Sequence, residues 1–96
     1  MAFQVYMLRC ADGSFYVGHT DNLEQRVAAH ELGDLPGYTR SRRPLTLVFT
    51  ESFSTRYEAL SPERQVKGWS REKKEALVWG DWERIRELAR SRSRPG

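Results

Sequence analysis

Arg26 and His30 stand four residues apart near the start of this 96-residue chain, and two tyrosines, Tyr6 and Tyr16, precede them on short apolar segments. On a helix, residues at i and i+4 share a face. A guanidinium and an imidazole held there, beside an inward apolar stripe, are placed to face a shared anionic ligand. The same spacing also fits an amphipathic helix whose arginine snorkels and whose histidine is a bonded core residue. The elements that position these side chains bear on the choice.

Residues 3–10, Phe-Gln-Val-Tyr-Met-Leu-Arg-Cys, and residues 15–18, Phe-Tyr-Val-Gly, are rich in strand formers and flank a turn-forming break, Ala11-Asp12-Gly13. The pattern predicts a β-hairpin. A three-residue loop commonly ends in a left-handed residue, a conformation open to Gly13 without a Cβ clash. Pairing Cys10 with Ser14 then sets Leu8 opposite Tyr16 and Tyr6 opposite Gly18, with both tyrosines on one face. A two-residue loop would put them on opposite faces, because side chains alternate with period two. After Gly18 the Asp21–Glu24 spacing reads as a capping box opening a helix that ends at Gly33. At about 100° per residue from Leu23, Val27 falls near 40°, His30 near −20° and Arg26 near −60°. Arg26 and His30 therefore flank the inward stripe.

Tyr6, the triplet Tyr16-Val17-Gly18, Arg26 and His30 together resemble the GIY-YIG nuclease domain, in which a Gly-Ile-Tyr-like and a Tyr-Ile-Gly-like triplet occupy adjacent strands before a helix with a catalytic arginine. The first triplet here is Gln4-Val5-Tyr6, which keeps the tyrosine. The length and Arg40-Ser41-Arg42-Arg43-Pro44 look most like the small stand-alone bacterial members, over roughly residues 3–82. The resemblance implies a metal-binding glutamate on a later helix, here Glu63, holding Mg²⁺ or Mn²⁺. One carboxylate suffices for such an ion when phosphate and water fill its other positions. The plain alternative for Glu63 is a surface pair with Lys67 at i+4. The resemblance also implies Tyr6 as general base, its phenol lowered by His30 or the metal, Tyr16 orienting water or a phosphate oxygen, and Arg26 holding the non-bridging oxygens. Many such nucleases carry an asparagine after the glutamate-bearing helix, whereas Gly80-Asp81 stands here.

The formal charge of +3 is matched by three tail arginines, Arg90, Arg92 and Arg94, so the body is neutral and local distribution must indicate any nucleic-acid partner. The strongest patch is the loop over residues 34–43, in which Arg40, Arg42 and Arg43 accompany Tyr38 with no acid after Asp34. That composition suits phosphate contacts with one stacking ring. Pairing of the arginines with Glu31 and Glu51 is the alternative. A single cysteine, Cys10, leaves no internal disulfide and points to a packed strand residue in a reducing cytoplasm. No apolar run approaches a bilayer-spanning length, and no signal-peptide pattern opens the chain, so neither membrane nor export is expected.

The remaining pattern predicts a central buried strand over residues 45–50 and then a helix with a second capping box, Thr55–Glu58, carrying Ala59, Leu60 and Val66 inward. Pro62 costs about 3 kcal/mol in a helix interior, which predicts a kink or a restart with Ser61 as cap. If the helix is continuous, Glu63 lies on the Ala59 and Val66 face. Ser70 caps a helix to Trp79, with Ala76, Leu77 and Trp79 packing and residues 71–75 outward; Gly80 stops it. Asp81 caps a last helix whose Trp82, Ile85, Leu88 and Ala89 dock, and the tryptophans read as core and lid residues.

The fold expected is α+β, a small three-stranded antiparallel sheet flanked by helices in the order β-β-α-β-α-α-α. One domain spans residues 1–89, and a basic disordered tail spans 90–96. Two functions follow: a metal-dependent endonuclease acting on DNA, or on RNA, and a nucleic-acid-binding module with the same fold and little turnover. A pure interaction domain ranks last, and no obligate protein partner is readable.

Overall fold

In the hairpin, β1 (Phe3–Arg9) and β2 (Phe15–Thr20) pair antiparallel, and the Cys10 amide donates to the Ser14 carbonyl at 2.8 Å. Gly13 sits at φ 86°, the left-handed position that the three-residue loop requires. Leu8 faces Tyr16 and Tyr6 faces Gly18, as the loop length predicts. The computed structural model describes residues 2–93, the last four of them by backbone alone.

The third strand, β3 (Thr46–Phe53), pairs antiparallel with the free edge of β1 and gives the order β2-β1-β3. The expectation of a buried central strand for this segment is corrected. The centre is β1, whose Val5, Tyr6, Met7 and Leu8 are each buried almost completely, whereas Leu47 on β3 is 40% exposed. A central strand is one whose two edges both find partners, and that depends on tertiary pairing rather than on local apolarity.

Period-two alternation gives β1 two different faces. Tyr6 and Leu8 pack with Cys10, Leu45, Tyr16, Leu23 and Val27, so α1 (Leu23–Leu32) covers that side. Val5, Met7 and Val17 pack with Ala59 and Val66 of α2 (Arg56–Lys67), Ala76 and Leu77 of α3 (Arg71–Trp79), and Ile85 of α4 (Trp82–Ser93). The sheet is thus the middle of three layers, in the α+β order expected from the sequence.

The cap of α1 is Asn22, one residue beyond the expected Asp21. Its side chain accepts from the Gln25 amide at 3.2 Å, and the helix ends at Gly33 as foreseen. Asparagine and aspartate are near-equal caps, and Thr20 Oγ1 takes the Asn22 amide at 3.1 Å, which fixes the entry one residue later. The Thr55–Glu58 capping box is present in full, and α2 runs unbroken through Pro62. The restart expectation gives way: Ala59, Glu63 and Val66 bury one stripe that spans the proline. Leu60 lies off that stripe and is 38% exposed.

On α3 the buried set is Lys73, Ala76 and Leu77, a stripe at i, i+3 and i+4, with Lys73 Nζ 5.4 Å from the Trp69 ring. Lys73 is therefore not on the outward face assigned to it. Trp79 lies two residues past Leu77, off the stripe, and is 81% exposed, so its packing role is corrected too. Trp82 is likewise half-exposed, while Ile85 docks α4 and Asp81 accepts from the Arg84 amide at 3.0 Å. Helix α4 continues to Ser93, into the segment read as a disordered tail; residues 94–96 lie outside the described residues.

The strand order has a measurable consequence. Met7→Ala should destabilise by about 2–5 kcal/mol in urea unfolding, the range for a fully buried large side chain, while Leu47→Ala should cost no more than about 1 kcal/mol.

Candidate active site

Tyr6 reaches its partner across the α1 side of the sheet. Its hydroxyl lies 2.9 Å from His30 Nε2, and His30 Nδ1 lies 2.9 Å from Thr39 Oγ1. All three residues are buried, at 0%, 3% and 2% exposure for Tyr6, His30 and Thr39. The ring of Tyr16 packs edge-on against His30 at 5.0 Å between centroids. Burial pushes the Tyr6 phenol above its usual value, an effect the nearby Arg26 guanidinium only partly offsets. The lowering expected from His30 is absent, and that from Arg26 does not outweigh burial. Burial, and then Arg26, hold His30 below the usual histidine range, so its imidazole is neutral at pH 7. A neutral imidazole has one donor and one acceptor nitrogen. With Nδ1–H donated to Thr39, Nε2 is free to accept the Tyr6 proton.

Gly18 explains the glycine of the second triplet. A Cβ there would stand 2.7 Å from the Tyr6 hydroxyl and 2.8 Å from Cζ, so only glycine lets the phenol lie over the strand.

The Arg26 guanidinium lies near both Tyr6 and His30, but the two α1 residues differ in burial. His30 falls on the inward stripe and is enclosed, whereas Arg26, one turn earlier on α1, is exposed. It lines a cleft of about 320 Å³ with Phe3, His19, Thr20, Asp21 and Arg56.

Across the sheet edge, Glu63 is buried on the Ala59 and Val66 face of α2, as a continuous helix requires. His19 Nδ1 donates to Glu63 Oε1 at 2.8 Å, and Lys67 Nζ lies 3.3 Å from Oε2. The pair with Lys67 is the alternative weighed from sequence; His19 was missed. Period two places His19 on the face opposite Tyr16, towards α2, so the signal was present in the strand pattern. A carboxylate offers about four lone-pair sites, and two donors leave room for one hard cation completed by phosphate and water. The donor set therefore fits a one-carboxylate divalent site. Among the described residues no group of three or more His, Cys, Asp or Glu side chains offers another.

The basic loop divides into two parts. Arg42 bonds Asp12 Oδ2 at 3.1 Å and the Tyr38 carbonyl at 2.8 Å while its guanidinium covers the Tyr38 ring at 3.8 Å. Arg43 bonds the Arg40 and Glu31 carbonyls at 3.0 and 3.3 Å. These two arginines shape the loop, through Asp12 and the Glu31 backbone rather than the carboxylates of Glu31 and Glu51. Among the described residues, the Arg40 guanidinium makes no hydrogen bond or ion pair, and the half-exposed Tyr38 stacks offset on Tyr16 at 6.5 Å. Thr39, between them, was also missed. Nothing in local sequence distinguishes a loop threonine that turns inward.

A three-layer α+β fold with two tyrosines on neighbouring strands, an arginine on the next helix and a glutamate beyond defines a known class of catalytic domain. The chain belongs to the GIY-YIG family, whose catalytic-domain model matches residues 2–76. Domains of this family are nuclease domains acting on nucleic acid, generally with a divalent metal ion. A UPF0213 protein of Halobacterium salinarum is 48% identical over 73 residues, covering 76% of this chain and 95% of its own length. The solution NMR structure of a UPF0213 protein from Bacillus halodurans is 42% identical, with a TM-score of 0.54 over 92% of this chain and 97% of that one. An E. faecalis protein solved by NMR is 39% identical, with a TM-score of 0.59 over 83% and 85% of the two chains.

Gly18→Ala should part the Tyr6–His30 bond and destabilise the fold by about 1–3 kcal/mol, the usual cost of overpacking; thermal unfolding and the Tyr6 environment by NMR read both effects. The histidine adds a pH dependence. A group whose folded pKa lies below its unfolded value binds fewer protons when folded, so stability falls as pH drops below the ordinary histidine value of 6.5. Unfolding midpoints should decline between pH 7.5 and 5.5, and His30→Gln should flatten that decline.

Proposed function

We propose that this chain is a metal-dependent endonuclease that hydrolyses phosphodiester bonds in DNA, with RNA as the alternative substrate. The observation that carries this reading is the buried Tyr6–His30–Thr39 line, which gives a phenol a neutral imidazole as proton acceptor beside the Arg26 cleft. Arg26 takes the non-bridging oxygens, a task suited to a fixed guanidinium fork. As Arg26 engages the phosphate, water reaches the Tyr6 hydroxyl. Water oxygen attacks phosphorus, its proton passes to the Tyr6 oxygen, and the Tyr6 proton moves to His30 Nε2. The bond to the leaving oxygen breaks, and that oxygen takes a proton from solvent. Tyr16 orients the water or a phosphate oxygen. Glu63 would hold Mg²⁺ or Mn²⁺, which stabilises charge on the phosphate and the leaving oxygen when bound. Tyr38 and Arg40 guide the strand into the cleft, and Arg42 and Arg43 support them from within the loop. The free, buried Cys10 is in keeping with a cytoplasmic setting, and among the described residues no helix is long and apolar enough to cross a membrane.

A binding module with little turnover is the second reading. It is favoured by the full burial of Tyr6 and by the engagement of both Glu63 oxygens by His19 and Lys67.

Cleavage of supercoiled plasmid and of branched and single-stranded DNA with Mn²⁺ separates the two. The endonuclease should lose about a hundredfold or more on Tyr6→Phe and a similar factor on Arg26→Ala and Glu63→Ala. Equal activity of wild type and Tyr6→Phe would sink the assigned base. Salt-dependent binding without any cleavage would establish the module instead.

A further inference from the structure

The cleft contains a second cation that the hydrolytic site does not use. Arg56 opens α2 and lines the same cleft of about 320 Å³ as Arg26. Topology brings the two together. Strands β2 and β3 both run antiparallel to β1, so both end beside its start, and the helices that follow them, α1 and α2, begin at that one end of the sheet.

Arg56 is poorly placed for the stability of its own helix. A cation in the first turn faces the positive end of the helix dipole, which is unfavourable. Arg26 adds a like charge across the cleft. Among the described residues the Arg56 guanidinium makes no ion pair or hydrogen bond, whereas Arg42, Arg71 and Arg84 each have an acidic partner. The one carboxylate lining the cleft is Asp21, against the two guanidiniums, and His19 spends its Nδ1 proton on Glu63. The walls are therefore short of negative charge, which an anion from outside would supply.

The geometry points to a second phosphate subsite at Arg56, taking the phosphate next to the one held by Arg26 on the same nucleic-acid strand. It rests on the nucleic-acid reading of the site and narrows the ligand to a strand with at least two consecutive phosphates. Arg56 is a strand-positioning residue, and its guanidinium fixes the register in which a phosphate reaches Arg26.

The test is binding without metal, in EDTA, of two thymidine oligomers measured by NMR titration: a dinucleotide with one phosphate and a trinucleotide with two. Wild type should gain about three- to tenfold in affinity from the second phosphate, and Arg56→Ala should gain nothing. For a longer labelled single strand, Arg56→Ala should lower the salt slope by about 0.7–1. Arg86→Ala, which removes the same charge from α4, should match wild type in both assays. An equal gain in wild type and Arg56→Ala overturns the subsite, as does a slope change shared by Arg86→Ala. Absence of oligonucleotide binding by wild type overturns it together with the nucleic-acid reading. If wild type binds but never cleaves, the hydrolytic reading fails and the Arg56 difference still reports the subsite.

Discussion

Burying the Tyr6 hydroxyl constrains most of what surrounds it. Tyr6 lies on the central strand with no exposed surface, where an unbonded hydroxyl would cost about 1–3 kcal/mol. His30 Nε2 supplies the partner, which fixes the rotation of α1 about its axis. Once enclosed, the imidazole has a second nitrogen to satisfy, and Thr39 meets it. Thr39 in turn pins the basic loop, so Tyr38 is held against Tyr16 on the face where the phenol lies. No buried side-chain nitrogen or oxygen among the described residues is left without a partner. A satisfied polar line of this kind rigidifies its surroundings, because any one member removed strands the next.

The hairpin loop belongs to the same construction from the other side. Asp12 accepts from the Ser14 amide and hydroxyl and from Arg42, and the Ser14 bonds above all hold its carboxyl below the usual carboxylate range. The Ala11 amide also donates to the Arg42 carbonyl at 2.9 Å. The turn that sets the register of the tyrosines is thereby the dock for the basic loop. Being partly exposed, the Asp12–Arg42 pair orients more than it stabilises.

Much of this was legible because short-range rules govern it. Loop length at Gly13 determines register, and register determines which tyrosines share a face. Given a helix continuous through Pro62, the Ala59–Glu63–Val66 spacing alone puts the glutamate on the inner side of α2. What sequence could not resolve depends on long-range choices. Residues 45–50 are as apolar as 3–10, and only pairing on both edges makes β1 the centre. Asn22 and Asp21 compete as caps, and Thr20 decides between them. Trp79 looks like core by composition, yet the stripe defined by Lys73, Ala76 and Leu77 leaves it outside. Arg42 and Arg43 read as phosphate ligands by charge, but backbone carbonyls and Asp12 claim them in the folded loop.

The site has two halves, and the sheet separates them. The phenol and its proton acceptor lie on the α1 side, the carboxylate on the α2 side, and only the end of the sheet joins them through His19, Arg26 and Arg56. Each half is complete by itself: Tyr6 is bonded to His30, and Glu63 to His19 and Lys67. A ligand that joins them must offer negative charge to the arginines and bring, or share, a cation for the carboxylate, conditions a phosphodiester backbone with a divalent ion meets at once. Under the proposed reaction, the protein would store its reactive groups in paired form and leave to the substrate the task of bringing them together.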